Sequence, residues 1–185
     1  AKASYFMIEG EDFIALDVQQ PEPFTDCNPF IPGACDGTTT SRNVGEAELR
    51  GFELESGYES HRFKVSLGFS SIDAEDKATG EPIGLLAPPQ VNAGFAVKLP
   101  EVDSIVGWRG TFAKKFDNTD DPAEERDAYQ VHNLYAAYAP SDGMLKGLRL
   151  DVGVDNIFDA AYARTYTDAN EPGRNFKAKI SYKLN

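Results

Sequence analysis

The sequence has no long hydrophobic run and a deficit of positive charge. No uninterrupted apolar stretch of about eighteen residues occurs, so a membrane-spanning helix is not predicted. Lys and Arg number 18 against 30 Asp and Glu, and this net charge of −12 argues against a nucleic-acid-binding protein, which would present a basic surface. The start at Ala1-Lys2-Ala3 is not a secretory leader, so we expect a mature chain or a piece of a longer one.

The common catalytic motifs are also missing from the sequence. It contains no Gly-rich phosphate loop, no nucleophile elbow and no His-based zinc motif. Glu53 and Glu55 share one face of a predicted strand, where two carboxylates more readily form an acidic row along a lumen than an acid/base couple. We therefore do not expect an enzyme.

The clearest pattern that is present lies at the carboxyl terminus. From Asn175 to Asn185 every second residue is apolar, and these residues are Phe176, Ala178, Ile180, Tyr182 and Leu184. This period of two indicates a β-strand with one apolar and one polar face. A strand of about 9–11 residues also crosses a bilayer at a tilt in outer-membrane barrels.

Seven earlier segments repeat the strand pattern, and their connections alternate strictly between long and short. The predicted strands are 4–18, with a bulge at Gly10, then 45–58, 63–72, 91–99, one through Val106 and Phe112, 129–139 and 148–155. Long connections cover 19–44, 73–90, 117–127 and 156–172. Such a meander collects its long loops at one end and its short turns at the other, as outer-membrane barrels do. No segment holds helical periodicity.

The predicted fold class is therefore all-β, an antiparallel up-and-down transmembrane β-barrel of about eight strands. Phe, Val, Leu, Tyr and Trp would face lipid, and the polar face would line a lumen where charges pair across strands. The inward candidates are Glu53, Glu55, Lys64, Asn92, Lys98, Arg149, Asp151, Asp155, Lys177, Lys179 and Lys183. A soluble sandwich, which would expose these residues to water, is the alternative.

Two motifs near the carboxyl terminus carry a family resemblance. The segment LRLDVGVDNIFDAAY at 148–162, followed by PGRNFKAKISYKL, resembles the carboxy-terminal signature of TonB-dependent outer-membrane receptors. The segments 43–53 and 86–92 also resemble late-barrel motifs of that family. The motif residues, to which we assign a structural role, are Asn156, Phe158, Tyr162, Gly173, Arg174, Phe176 and Tyr182.

The resemblance implies a location and a transport function. Barrels of that family have twenty-two strands and an amino-terminal plug, so residues 1–185 would be the carboxy-terminal portion, without the plug through which TonB acts. The chain would lie in the bacterial outer membrane, among lipid and lipopolysaccharide, and the receptor would import an iron-bearing ligand with energy from TonB. By the same resemblance, we expect an aromatic residue to follow Asn185.

The ligand implied by the resemblance is heme, or heme from a heme-carrying protein, because 154–159 and 171–176 look more like heme receptors than siderophore receptors. Heme or a ferric siderophore would be transported, and no covalently bound cofactor is expected. The alternatives are a ferric-siderophore receptor, a self-contained eight-stranded barrel acting as an adhesin or structural protein, and a secreted binding sandwich.

Neither the histidines nor the cysteines are predicted to bind heme. Heme iron is held by His or Tyr among other ligands, but His61 falls in a predicted periplasmic turn and His132 on an apolar strand face, so we expect axial ligands elsewhere in the receptor. Cys27 and Cys35 are close enough to staple a small exported loop, and we expect a disulfide there.

The charged clusters of the predicted outer loops allow two interpretations each. The acidic residues are Asp73, Glu75, Asp76, Asp117, Asp120, Asp121, Glu124, Glu125 and Asp127. They would keep exposed loops soluble, or bridge through divalent cations to lipopolysaccharide or attract a basic partner. Asp168 and Glu171, near Arg164 and Arg174, would form salt bridges or contact the ligand.

Overall fold

The computed structural model describes most of the chain. The described residues are 1–19, 24–25, 27–32, 35, 38–84, 86–119, 122–165, 167 and 169–183, with side chains described for all of these except 12–19, 38–40, 42–45 and 122. The expected strand residues Leu184 and Asn185, and the acidic residues Asp120, Asp121 and Asp168, lie outside this part of the chain.

Eight antiparallel strands form a single sheet in chain order, which confirms the predicted all-β meander. The strands are β1 (Lys2–Gln19), β2 (Thr38–Glu59), β3 (Phe63–Asp76), β4 (Gln90–Leu99), β5 (Ser104–Ala113), β6 (Tyr129–Tyr138), β7 (Leu148–Asp155) and β8 (Asn175–Tyr182). Two short 3-10 turns, Pro100–Val102 and Pro122–Glu124, complete the regular structure of the described residues, in which no helix is long and apolar enough to cross a bilayer.

The connections alternate in length as predicted. Short turns at 60–62, 100–103 and 139–147 lie at one end of the sheet, and the connections at 20–37, 77–89, 114–128 and 156–174 lie at the other. The tightest turn is organised by Ser60, whose hydroxyl oxygen accepts the N–H groups of Arg62 at 3.2 Å and Phe63 at 3.0 Å. We call these two ends the turn end and the loop end.

Strand register separates an apolar face from a polar face across the whole sheet. Directly opposed residues share a face, and the aligned row Phe95, Trp108, Leu134, Val154 and Phe176 crosses five strands on the outward face. The inward row one residue away in sequence is Glu59, Lys64, Ala96, Gly107, Tyr135, Gly153 and Lys177. The predicted inward residues within the strands all lie on this second face.

The sheet has no central hydrophobic core, because it is a single layer. Its buried apolar residues in the strands are small, and they lie on the inward face. They are Ala74, Ala96, Ala113, Val131 and Ala137. The large apolar side chains instead stay exposed on the outward face, including Phe176 at 75% and Ile180 at 73%. This inversion of the usual burial pattern is typical of a wall that meets lipid on its outward side.

The ends of the sheet remain apart. β1 pairs only with β2, and β8 pairs only with β7, in the described part of the chain. The wall is therefore an open segment rather than a closed eight-stranded barrel.

Three details of the sequence interpretation were wrong near the loop end. The register of β1 against β2 runs through Gly10 without a bulge, and β2 begins at Thr38 rather than Gly45. Asp73, Glu75 and Asp76 belong to β3 rather than to a loop. All three errors have one cause. We call the part of the sheet with large outward apolar side chains the apolar band. Strands that continue beyond this band remain paired without alternating apolar and polar residues, so the sequence pattern does not show them.

Candidate functional site

The loop between β7 and β8 begins at a buried asparagine that joins three parts of the chain. Asn156 is 2% exposed, and its backbone N–H donates to Asn133 Oδ1 at 2.8 Å. Its side-chain amide donates to the carbonyl oxygens of Ala160 at 2.8 Å and Pro172 at 3.4 Å, and its Oδ1 accepts the Ala160 N–H at 2.8 Å. Its φ of 50° lies in the left-handed region, which asparagine tolerates better than most residues.

A second contact closes the same loop. The carboxylate of Asp159 accepts the backbone N–H of Arg174 at 2.7 Å. A Cβ added to Gly173 would lie 2.5 Å from Asp159 Oδ1, so a larger residue would displace this carboxylate. The predicted motif residues Asn156, Gly173 and Arg174 thus lie together and shape the loop, which supports the structural role we assigned to them.

The middle of the loop folds over the inward face of the sheet. The rings of Tyr129 and Tyr162 are tilted at 31°, with centroids 4.6 Å apart. Arg164 pairs with Glu171 at 3.1 Å, and the Glu171 N–H donates to the Tyr162 carbonyl at 2.8 Å. The Arg164–Glu171 pair is the salt bridge that the sequence suggested.

Loop and sheet together enclose a cavity of about 650 Å³ at the loop end of the inward face. Its floor consists of residues from β4 to β8, among them Asn92, Thr111 and Asn133, and its roof includes Tyr162 and Arg164. Phenol, amide and carboxylate groups line this space together with the cations Arg164 and Lys177, which are paired with Glu171 and Asp155. Such a lining offers aromatic surface and many hydrogen-bonding groups.

Other charged side chains on the inward face form ion pairs. Lys177 pairs with Asp155 on the neighbouring strand. At the turn end, Lys98 donates to Glu59 at 2.5 Å and Lys64 lies 3.7 Å from the same carboxylate. These contacts confirm the expected pairing of charges across strands, although Arg149 and Asp151 pair along one strand instead, at 2.6 Å.

Neither histidine reaches the cavity. His61 is exposed in the turn at 60–62. His132 is half-buried on the outward face, where its Nδ1 accepts the Trp108 Nε1–H at 3.2 Å and its ring contacts the rings of Phe112 and Phe158. The structure thus places both residues as the sequence indicated, and Tyr129 and Tyr162 are the aromatic residues that line the cavity.

The sequence interpretation missed Tyr129 and Asn133 as cavity residues. The signal was available, because the sequence places His132 on an apolar, outward face, and the odd-numbered positions of β6 must therefore point inward. Only the folded loop shows that these particular positions lie beneath Tyr162 and Asn156.

The acidic residues at the end of β3 are tied into surface ion pairs. Arg50 contacts Glu48 at 2.9 Å and Glu75 at 2.6 Å. Lys77 donates to Glu9 at 3.1 Å, and this carboxylate raises the pKa of Lys77. Within the described ranges no group of three or more His, Cys, Asp or Glu is arranged to hold a metal ion.

Described residues of the loop at 114–128 make similar contacts. Lys115 donates to Glu125 at 2.6 Å, and this hydrogen bond raises the pKa of Lys115. Asn118 donates to Asp73 at 2.7 Å, which fastens the loop to the end of β3. These contacts favour solvated, paired loops over a cation-binding cluster.

Cys27 and Cys35 form the expected disulfide, with Cα atoms 5.5 Å apart. The bond closes the loop between β1 and β2. The cavity is instead lined by strands β4–β8. It is therefore a staple of the loop end rather than a redox centre of the cavity.

Comparison with known proteins decides the family. The family model described as "TonB dependent receptor-like, beta-barrel" matches residues 1–157. The chain belongs to this family. It is thus an outer-membrane β-barrel chain, and its relatives are transport receptors rather than enzymes. Of the predicted motif, Asn156 lies within the matched range and the residues from Phe158 onward lie beyond it.

The relatives most similar in sequence include proteins whose names refer to heme or hemin. "Heme/hemopexin utilization protein C" of Haemophilus influenzae is 28% identical over 98% of this chain and 26% of its own length. "Hemin receptor" of Yersinia enterocolitica is 27% identical over 98% of this chain and 26% of its own length. The segment thus spans about a quarter of these relatives.

Solved structures share the fold of this receptor segment. "Copper transporter OprC" superposes with a TM-score of 0.79 at 18% identity, covering 98% of this chain and 28% of that one. The FrpB iron transporter from Neisseria meningitidis superposes with a TM-score of 0.69 at 19% identity, covering 98% and 27%. At this identity the likeness shows the barrel-wall fold alone.

Proposed function

We propose that residues 1–185 form the carboxy-terminal wall of a receptor that imports heme, free or delivered by a heme-carrying protein, across the outer membrane. The observation that carries this proposal is the alignment of 98% of the chain with heme and hemin receptors. The eight strands would be the last of a twenty-two-stranded barrel, and the plug would belong to another part of the receptor, where TonB would supply the energy.

The geometry of the segment supports the membrane part of this proposal. The outward face exposes a continuous apolar row, and Trp108, His132 and Phe158 meet at its loop end. Aromatic groups of this kind favour the boundary between hydrocarbon and headgroups. We assign the outward face to lipid and the charged end above it to contact with lipopolysaccharide.

The cavity supports the ligand part. Heme has a flat aromatic body, which suits a site lined by the rings of Tyr129 and Tyr162. Its anionic propionates would have to replace Glu171 and Asp155 as partners of Arg164 and Lys177. No histidine of the described inward face is available to the iron, so the axial ligand would come from the plug or from other strands.

Growth on defined iron sources tests the function with the intact receptor. A strain that relies on this receptor for iron should grow on hemin and lose that growth when TonB is deleted. Growth on a ferric siderophore but not on hemin would replace the heme proposal with the siderophore alternative. A receptor that supports neither, while present in the outer membrane at normal levels, would refute iron import altogether.

Conservative variants test the cavity. Tyr129→Phe combined with Tyr162→Phe keeps both rings and removes both hydroxyls, so it should weaken hemin binding and shift the bound Soret band if these hydroxyls face the porphyrin. His132→Phe is the matched control, because His132 lies on the opposite face, and it should leave the spectrum unchanged. Equal spectra for all three proteins would remove the two tyrosines from the binding site.

A further inference from the structure

A histidine lies among three aromatic rings on the outward face, at the loop end of the apolar band. The rings of His132 and Trp108 lie at an interplanar angle of 26°, with centroids 5.7 Å apart. Phe112 and Phe158 meet the imidazole edge to face, with centroids 5.4 and 5.2 Å away. We call these four residues the aromatic cluster. It is built from β5, β6 and the start of the last loop, so the unpaired edges at β1 and β8 do not expose it.

The backbone holds the aromatic cluster in one arrangement. Gly110 lies opposite His132 in the register, and a Cβ added to Gly110 would overlap the Trp108 ring. The absence of a side chain at this position lets the indole cross the strand and reach the imidazole. On the loop side, the Ile157 N–H donates to the His132 carbonyl at 2.9 Å, which brings the next residue, Phe158, beside the imidazole. A surface ordered in advance loses less conformational entropy on binding.

One nitrogen of the imidazole is available to a ligand. Nδ1 of His132 accepts the Trp108 Nε1–H at 3.2 Å, so the proton of the neutral ring is on Nε2. Among the described residues Nε2 has no hydrogen-bond partner, and the ring is only half-buried. The aromatic cluster therefore contains a hydrogen-bond donor that needs an acceptor from the surroundings of the wall.

A lysine continues the same face toward the loop end. The Lys114 N–H donates to the Pro89 carbonyl at 3.0 Å, which extends the register of β4 against β5 by one residue. Lys114 is therefore two positions beyond Phe112 on the outward side. Its side chain is exposed and forms no ion pair with a described residue. Lys115, on the inward side, instead donates to Glu125 at 2.6 Å.

The spacing of these groups matches the layers of a bilayer. Two residues advance about 7 Å along a strand, or about 5 Å along the membrane normal at a tilt of about 40°. The headgroup layer is about 5–7 Å deep on each side of the hydrocarbon. With the aromatic cluster at the hydrocarbon boundary, Lys114 reaches the layer of phosphate groups. This layer belongs to the outer leaflet, because the long connections of such barrels face the outside of the cell.

The polar groups of this surface suit a phosphate monoester. The Lys114 ammonium and the His132 Nε2–H donate hydrogen bonds, and phosphate oxygens accept them. A phosphate monoester carries about −1.5 to −2 charges at neutral pH, more than the phosphodiester of a glycerophospholipid. Asp73, the outward carboxylate of β3, lies two strands away and accepts the Asn118 amide at 2.7 Å. An anionic headgroup can therefore approach the lysine.

We propose that Lys114 and the aromatic cluster form a binding site for one phosphorylated glycolipid of the outer leaflet, the lipid A part of lipopolysaccharide. A phosphate monoester would lie between the Lys114 ammonium and the His132 Nε2–H, and an acyl chain would lie against Trp108 and Phe112. This inference rests on the assignment of the outward face to lipid and is independent of the imported ligand. It gives one lipid molecule a defined position on the wall.

Lipid titrations of the intact receptor in detergent test the site. The probes are diphosphoryl lipid A, the same lipid with both phosphates removed, and phosphatidylglycerol, and native mass spectrometry counts the molecules bound at each concentration. Lys114→Gln and His132→Phe should each weaken the binding of one diphosphoryl lipid A molecule about tenfold, because each removes a hydrogen bond to a charged group. Neither variant should change the binding of the dephosphorylated lipid. His132→Gln keeps a donor and should retain part of the lost affinity.

Lys115→Gln is the matched control, because it removes an equal charge from the inward side and should leave lipid A binding unchanged. Heat-modifiable migration on gels verifies that each variant is folded. Equal lipid A binding by wild type, Lys114→Gln and His132→Phe overturns the site, as does an equal loss in Lys115→Gln. A matching loss of phosphatidylglycerol overturns the choice of lipid A. None of these results bears on iron import, which growth on hemin tests separately.

Discussion

At the scale of single residues, the candidate site depends on positions whose side chains satisfy backbone groups. Asn156 and Asp159 both take left-handed backbone conformations, at φ 50° and 56°, and both accept N–H groups from their own loop. A short polar side chain suits such a position, because it can accept a nearby backbone N–H and because Asn and Asp tolerate the left-handed backbone conformation. These residues therefore determine the shape of the cavity roof, and Asn156 also lines the cavity.

Asn156→Ala should loosen the roof of the cavity. The change removes the three side-chain hydrogen bonds to Ala160 and Pro172, in a residue that is 2% exposed, so we expect a loss of about 2–3 kcal/mol of loop stability. Limited proteolysis of the intact receptor should then cut between 156 and 174 much faster. Asn118→Ala, which removes one exposed hydrogen bond, is the control. An unchanged cleavage rate in Asn156→Ala would contradict the anchoring role.

Gly173→Ala should destabilise the loop through Asp159. The added methyl would lie 2.5 Å from Asp159 Oδ1 and displace the carboxylate from the Arg174 N–H, which we expect to cost about 1–2 kcal/mol. Asp159→Ala removes the clash together with the bond. Gly173→Ala should consequently have little further effect in that background. Thermal unfolding of the four proteins gives the coupling, and simple additivity of the two changes would show that the contact is unimportant.

At the scale of elements, alternation decides which side of each strand meets which surroundings. Along β3 the outward residues Phe63, Val65, Leu67 and Phe69 are apolar, and the register places them opposite outward residues of β2 and β4. The alternation ends toward Asp73, where Glu75 pairs with Arg50. Each long strand therefore has an apolar part within the band and a charged part beyond it, and sequence alternation is visible only in the first.

Lysine substitutions on neighbouring positions of β3 should separate the two faces. Leu67 lies in the middle of the outward row and is 45% exposed, so Leu67→Lys would bring a charge to the proposed lipid side and cost about 2–4 kcal/mol. Ser66→Lys places the same charge on the inward face and should cost far less. Urea-dependent folding of the intact receptor into lipid vesicles measures both. Equal destabilisation of the two variants would refute the assignment of faces.

At the scale of the whole molecule, the wall is an open surface that needs neighbours. β1 and β8 each have one unpaired long side in the described residues, and the inward face carries two cavities of about 650 and 680 Å³ rather than a packed core. Unpaired strand edges invite further pairing. Other strands of the receptor would complete the barrel, and a plug would fill the space beside the inward face.

The segment by itself should therefore fail to form a stable monomer. Residues 1–185 refolded in detergent are expected to assemble through their free edges into oligomers or aggregates, whereas the intact receptor should run as one species. Light scattering after gel filtration distinguishes the two results. A monodisperse 20.2 kDa species with heat-modifiable migration would instead favour a self-contained barrel.

The sequence by itself determined the class of fold, the order of the strands and the separation of the two faces, because side-chain alternation and turn residues are local properties. The alternation of long and short connections likewise predicted the two ends, and the motif at 148–162 with PGRNF predicted the family. The sequence did not show where β1, β2 and β3 end beyond the apolar band. The strands there are held by cross-strand pairing and by ion pairs such as Arg50–Glu75.

Only the tertiary structure decided which residues meet at the cavity. Tyr129 and Tyr162 are 33 positions apart, and they come together because Asn156 and Asp159 fold the last loop back over the inward face. Such contacts arise from the path of a loop, which has no period to be read along the chain.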